Sequence, residues 1–178
     1  MPERLCISPC PPVVVNLCFA LVSPRHIAIA CHHPRLRFNH RAITRAVALL
    51  DGNARKFRNG CPVGDLSLVF LTDKALAVLH ANFLHDPSPT DVITFEGDPA
   101  LGTAGEVCVS ADAALRHVAS RRSALSAELT LYLVHGWLHL AGYDDLVPAK
   151  KRVMRRAEAR ALTLLRTASA IPKFSFRR

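Results

Sequence analysis

Acidic residues are almost missing from the last part of this chain. From Lys150 to Arg178 ten Lys/Arg stand against one acid, Glu158, whereas residues 1–149 carry thirteen of each sign. The whole formal charge of +9 therefore sits in the last 29 of 178 residues. A basic segment on a neutral body suits a polyanionic partner, most simply RNA; the plainer alternative is a solvated helix face. Other absences exclude function classes. None of Cys6, Cys10, Cys18, Cys31, Cys61 and Cys108 forms a C-x-x-C pair, so there is no zinc ribbon or dithiol redox motif to read. No glycine-rich phosphate loop, internal repeat or low-complexity run occurs. The apolar run Val13–Val22 is ten residues long and contains Asn16, too short to cross a bilayer. What is present is a chain half hydrophobic and 21% charged, globular in composition and of a length for one domain with a real core.

Residues 1–25 read as a loose N-terminal extension or an over-long start, with five prolines and three cysteines. Residues 26–166 read as the domain and 167–178 as a basic, aperiodic tail. Strands are expected at His26–Cys31, Leu66–Leu71, Val92–Phe95 and Gly105–Ser110, where β-branched and large apolar residues cluster. Asn39, Thr72-Asp73 and Ser110 are helix caps. The first helix runs through Ile43, Val47, Leu49 and Leu50 to a stop at Asp51-Gly52; the second sets Leu76, Leu79 and Phe83 on one face. A last helix begins near Pro148, a residue suited to a first helical position. Its inner stripe is Val153, Met154, Ala157, Ala161, Leu164 and Leu165. Its outer face carries Lys151, Arg152, Arg155, Arg156 and Arg160, available to phosphates.

The stretch His135-Gly136-Trp137-Leu138-His139-Leu140-Ala141-Gly142-Tyr143-Asp144-Asp145 carries the chemistry. Two histidines four apart in an apolar helix share one face and can share a metal. Gly142 can end the helix in a left-handed cap, after which Asp144 or Asp145 can return to the same ion. Gly136 stands where the H-E-x-x-H metalloproteases have their base, so this helix offers ligands and no base. Glu128 and Tyr132 fall on the histidine face; Glu128 reads as a first-turn acid, or as a partner orienting a ligand imidazole. Trp137 reads as core.

This stretch resembles the H-G-x-L-H-L-x-G-Y-D-H signature of the YbeY family, endoribonucleases of rRNA maturation. The resemblance puts the first two metal ligands on His135 and His139 and the third, usually His, on Asp145. A second block, Leu79 to Phe95, resembles the family's L-N-x-x-Y-R-x-x-D-x-x-T-D-V-L-S-F. There Thr90, Asp91, Val92 and Phe95 match, His80 replaces Asn, and Leu84 stands in place of an Arg connected with RNA cleavage. Gly105-Glu106-Val107-Cys108-Val109-Ser110 resembles G-D-I-x-I-S, and Glu106 reads as a plain edge residue, or as a group supporting a metal ligand.

What the resemblance implies is an α+β fold: a small mixed four-stranded sheet with helices packed on it and the metal site on a central helix. It further implies one Zn2+ per chain and single-strand-specific cleavage in small-subunit rRNA 3′-end maturation and ribosome quality control. The partners would be ribosomal RNA and the small ribosomal subunit, in the cytoplasm. The general base is unassigned, with Asp144 a candidate by proximity, and Lys151, Arg152, Arg155 and Arg156 are candidates for RNA contact. The alternatives are a non-catalytic, metal-stabilised rRNA-binding maturation factor and a metal hydrolase with another substrate.

Overall fold

A computed structural model describes residues 25–86, 88–121 and 124–177. Strands β1 (Ile27–Cys31), β3 (Asp65–Leu71), β5 (Thr103–Ser110) and β4 (Val92–Glu96) form one mixed sheet in the order β1-β3-β5-β4, with only β4 antiparallel to its neighbour. Helices α1 (His40–Asp51), α2 (Asp73–Leu84), α3 (Ala111–Arg121), α4 (Leu125–Leu140) and α5 (Pro148–Thr167) complete the α+β fold, and a two-stranded ribbon pairs β2 (Leu36–Phe38) with β6 (Phe174–Phe176).

The alternation along β3 assigns the layers. Leu66, Leu68 and Phe70 point into the main core with α1, α4 and α5; Val69 and Leu71 point the other way, into a smaller cluster with Leu76 of α2. Helix starts follow the expected caps. Asn39 Oδ1 accepts from Arg41 N–H, Thr72 Oγ1 from Ala75 N–H and Ser110 Oγ from Ala113 N–H. Each satisfies a donor that the first turn leaves open.

Helix α4 runs through the middle of the molecule, with Leu129, Trp137 and Leu138 at most 1% exposed. Trp137 is core, as expected. Its indole N–H donates to Asp51 Oδ1 at 3.0 Å and its ring meets Phe57 edge-on, so the end of α1 is tied to α4. Gly136 lies hard against the sheet. A Cβ there would overlap Val107 Cγ1 of β5 and would lie 3.0 Å from Cγ2 and 3.2 Å from Cβ. The interior glycine, which costs a helix about 1 kcal/mol relative to alanine, is thus what lets the helix seat on the strand.

Four expectations change. Arg25 belongs to the fold: its guanidinium bonds Asp51 at 2.8 Å and the Cys61 carbonyl at 3.2 Å. The rest of the expected extension, residues 1–24, lies outside the described residues. The tail is not aperiodic coil. Phe174 is buried against Phe38 and Phe70, and its N–H donates to Ser126 Oγ at 2.9 Å. Three residues are too few to show a period, and this strand exists because β2 is there to pair with it. Val153 (40% exposed) and Phe83 (61%) lie outside the stripes expected to bury them. Glu106 sits on β5, which has a neighbour on each side, and is no edge residue. No helix among the described residues is long and apolar enough to cross a membrane.

Candidate metal centre

The helix carrying both histidines ends in a turn that brings an acid back to them. Gly142 (φ +80°) takes the left-handed conformation expected of it. Its N–H bonds the His139 carbonyl at 2.8 Å and Tyr143 N–H bonds the Leu138 carbonyl at 3.0 Å, the paired closure of a Schellman motif. The chain reverses there, and of the two aspartates it is Asp145 that returns to the histidines.

His135 and His139 face each other with Nε2 atoms 2.9 Å apart, and Asp145 Oδ1 lies 3.7 Å from His139 Nε2. One ligand atom from each of the three residues can be chosen so that all lie within 4.8 Å of one another. A tetrahedral zinc with bonds of about 2.0–2.1 Å separates its ligand atoms by about 3.3–3.4 Å, and the two close distances bracket that value.

The proton inventory also fits a cation. His135 Nδ1 is 2.7 Å from Glu158 Oε1, and His139 Nδ1 is 3.1 Å from the Tyr143 carbonyl oxygen. Both partners only accept, so both Nδ1 atoms carry hydrogen, and each neutral ring turns an Nε2 lone pair toward the other. Two lone pairs at that distance repel. Either a proton or a metal ion between them removes the conflict. The electrostatics differ at the two rings. Burial pulls the His135 pKa down, but the hydrogen bond and charge of Glu158, with Asp145 and Asp91 behind it, lift it above the usual value. His139 is held below the usual value by burial and then by the charge that His135 carries when protonated.

A cavity of about 150 Å³ opens on this group, lined among others by His135, Asp145, Asp91, Tyr132, Lys151 and Arg155. An adjoining open groove of about 520 Å³ shares Asp91 and Tyr132 and reaches Arg116 and His117 of α3. Of the four expected RNA contacts, Lys151 and Arg155 line the metal cavity; Arg152 and Arg156 are exposed and do not line it. Arg160 is tied to the Lys56 carbonyl at 2.6 Å. Asp144 does not line the cavity. Its carboxylate takes Lys150 Nζ at 2.6 Å and Leu146 N–H at 2.9 Å, and these bonds hold its pKa below the usual range. Glu128 is buried, hydrogen-bonded to Tyr132 and 3.8 Å from His117, rather than a solvated first-turn acid or a partner of His135.

Two residues of the site were not among those picked out from sequence. Glu158 was visible only as the lone acid of the basic segment, with nothing local to connect it to a histidine 23 positions earlier. Asp91 precedes β4, its carbonyl pinned by Ser110 N–H at 2.8 Å, and among the described residues its carboxylate has no hydrogen-bond or ion-pair partner. Its signal was the matched T-D-V block.

Known proteins agree with this picture. A family model described as Endoribonuclease YbeY matches residues 29–166. A Chlamydia pneumoniae protein named Endoribonuclease YbeY is 41% identical over 115 residues, covering 60% of this chain and 73% of that one. One of the same name from Anaeromyxobacter is 34% identical over 137 residues, covering 75% and 68%. The solution structure of a Thermotoga maritima protein shares the fold at a TM-score of 0.55 and 19% identity, over 81% of this chain and 94% of that one. With the signature helix, its returning acid and the sheet beneath them in place, this chain belongs to the YbeY endoribonuclease family.

Proposed function

We propose that this chain is a zinc-dependent endoribonuclease that cuts single-stranded ribosomal RNA during small-subunit 3′-end maturation and ribosome quality control in the cytoplasm. The observation that carries the metal dependence is the convergence of two Nε2 atoms whose rings are each fixed by an Nδ1 hydrogen bond. His135, His139 and Asp145 would hold one zinc. When bound, it supplies Lewis-acid polarisation of a phosphoryl oxygen and lowers the pKa of water.

The chain's own groups do the rest. Lys151 and Arg155 hold phosphate oxygens beside the scissile bond, where charge builds up in the transition state. They stand in for the arginine that Leu84 replaces. Arg152 and Arg156, further out, add salt-dependent affinity for flanking phosphates. Asp91, a carboxylate with no competing partner, accepts the proton of the attacking water. Asp144 is engaged by Lys150 and is the weaker candidate for that task.

The test is cleavage of single-stranded rRNA fragments by protein of determined metal content, beside His139→Ala, Asp91→Asn and Arg155→Ala. Loss of cutting in the first, and a fall of about 10²-fold or more in the second with metal retained, is the expected result. Stoichiometric metal with tight RNA binding and no cutting would instead identify a non-catalytic maturation factor.

A further inference from the structure

Glu158 is out of place on α5. It is the single acid of a segment with ten cations, and Arg155 lies one turn behind it on the same helix. An acid at that spacing ordinarily pairs along its own helix. Among the described residues, the ion pair Glu158 makes is with His135 of α4, and its side chain is 17% exposed. The helix seam explains the reach. Met154, Ala157, Ala161 and Leu165 bury one stripe of α5, and Glu158 follows Ala157 at the margin of that stripe. Lys151, Arg155 and Glu158 at i, i+4 and i+7 share the face that lines the metal cavity.

The two histidines are therefore fixed by different means. His139 is fixed locally, by a carbonyl four residues on in its own capping turn. His135 is fixed across the helix interface, by a carboxylate. A carboxylate is the stronger acceptor, and it makes the ring it holds a more basic ligand. It also offsets the two cations beside it, which would otherwise oppose a metal ion in the same cavity.

We propose that Glu158 is the positioning residue of the metal centre: it holds His135 as the Nδ1–H tautomer, aims Nε2 at the ion, and neutralises the cationic wall of α5. This rests on the metal-dependent reading above. It assigns no step of the cleavage to Glu158.

The test is zinc affinity, by competition with a chromophoric chelator, for wild type, Glu158→Ala and Glu158→Gln. It is run with long-range proton–nitrogen spectra of the imidazoles in the metal-free proteins. Glu158→Ala is expected to weaken zinc about 10–100-fold and to lose the Nδ1–H signature at His135 while His139 keeps its own. Glu158→Gln retains a carbonyl acceptor and loses the charge, so it keeps the tautomer and gives an intermediate affinity. Zinc affinity within about twofold of wild type in folded Glu158→Ala, with the tautomer unchanged, overturns the proposal; a purely structural Glu158 would lower unfolding stability alone. If the alanine variant does not fold, the glutamine variant decides on the same two readouts. Wild type that binds no zinc sinks the metal-dependent reading and this proposal together. Wild type that binds zinc with an affinity dependent on Glu158 yet cuts no RNA removes only the nuclease.

Discussion

Replacing Gly136 with alanine should destabilise this protein, although helix propensity alone predicts the opposite. In an exposed helix interior the change would stabilise by about 1 kcal/mol. Here the new methyl overlaps Val107 Cγ1, and rotating the valine does not clear it, because Cγ2 and Cβ are already 3.0 and 3.2 Å away. Ordinary carbon contacts lie near ~3.5–4.0 Å. Val107 is fully buried on β5, held by β3 on one side and β4 on the other, so the strand cannot retreat. The helix must lift.

Overpacking of this kind costs about 1–3 kcal/mol, occasionally more, which leaves a net loss of up to about 2 kcal/mol after the propensity gain. Lifting α4 also moves His135 and His139, which flank the glycine. Sites of this type tolerate only about 0.5 Å of displacement, so zinc affinity should fall with stability. Urea unfolding of the metal-free protein and a zinc competition assay measure both quantities. The control is Val107→Ala, which alone loses about 1.5 kcal/mol of buried methyl surface. Combined with Gly136→Ala it should recover roughly 1–2 kcal/mol of coupling. Gly136→Ala protein as stable as wild type, with unchanged zinc affinity, would refute the claim that the glycine is there for close approach.

Zinc in hundredfold excess over its Kd should stabilise the metal-free protein by up to about 2.7 kcal/mol in thermal unfolding, and His139→Ala should abolish that response. Asp145→His replaces an anionic ligand by a neutral one, so water at the metal becomes more acidic and the rising limb of the pH–rate profile for RNA cleavage should move to lower pH; an upward move would count against Asp145 as a ligand. Phe174→Ala should cost about 3 kcal/mol in urea unfolding if β6 is part of the core, and almost nothing if residues 168–178 are a loose tail. In native protein at pH 8, alkylation followed by peptide mapping should mark exposed Cys31 and spare Cys61 and Cys108. Burial pushes those two thiols up to about 11 and about 12, which leaves at most ~10⁻³ of either as thiolate at that pH.

What sequence revealed and what it hid divide by distance along the chain. The caps at Asn39, Thr72 and Ser110, the glycine stop at Gly142 and the one-face pairing of His135 with His139 are decided within a turn or two of helix, and each is found where expected. The candidate third ligand was narrowed to two adjacent acids by spacing, and the family signature favoured Asp145. Glu158 and β6 were hidden because their partners are remote. A carboxylate on a cationic helix has no local reason to seek a histidine of the preceding helix, and Phe174-Ser175-Phe176 has no local reason to be a strand. Phe83 and Val153 failed for a related reason. Periodicity says which residues share a face, but only the neighbouring elements say how wide the covered stripe is.

The capping turn after α4 has a consequence for the order of events. All three candidate ligands fall within residues 135–145, and the loop that a bound ion would close between His139 and Asp145 spans six positions. Closing so short a loop costs little chain entropy. On the metal-dependent reading, an unfolded or half-made chain would therefore keep some grip on the ion before the sheet exists. The complete fold does not create the site so much as tighten it, by bringing α5 alongside. Stabilisation by the metal should consequently fall short of its full binding free energy, because the denatured chain competes for the same ion.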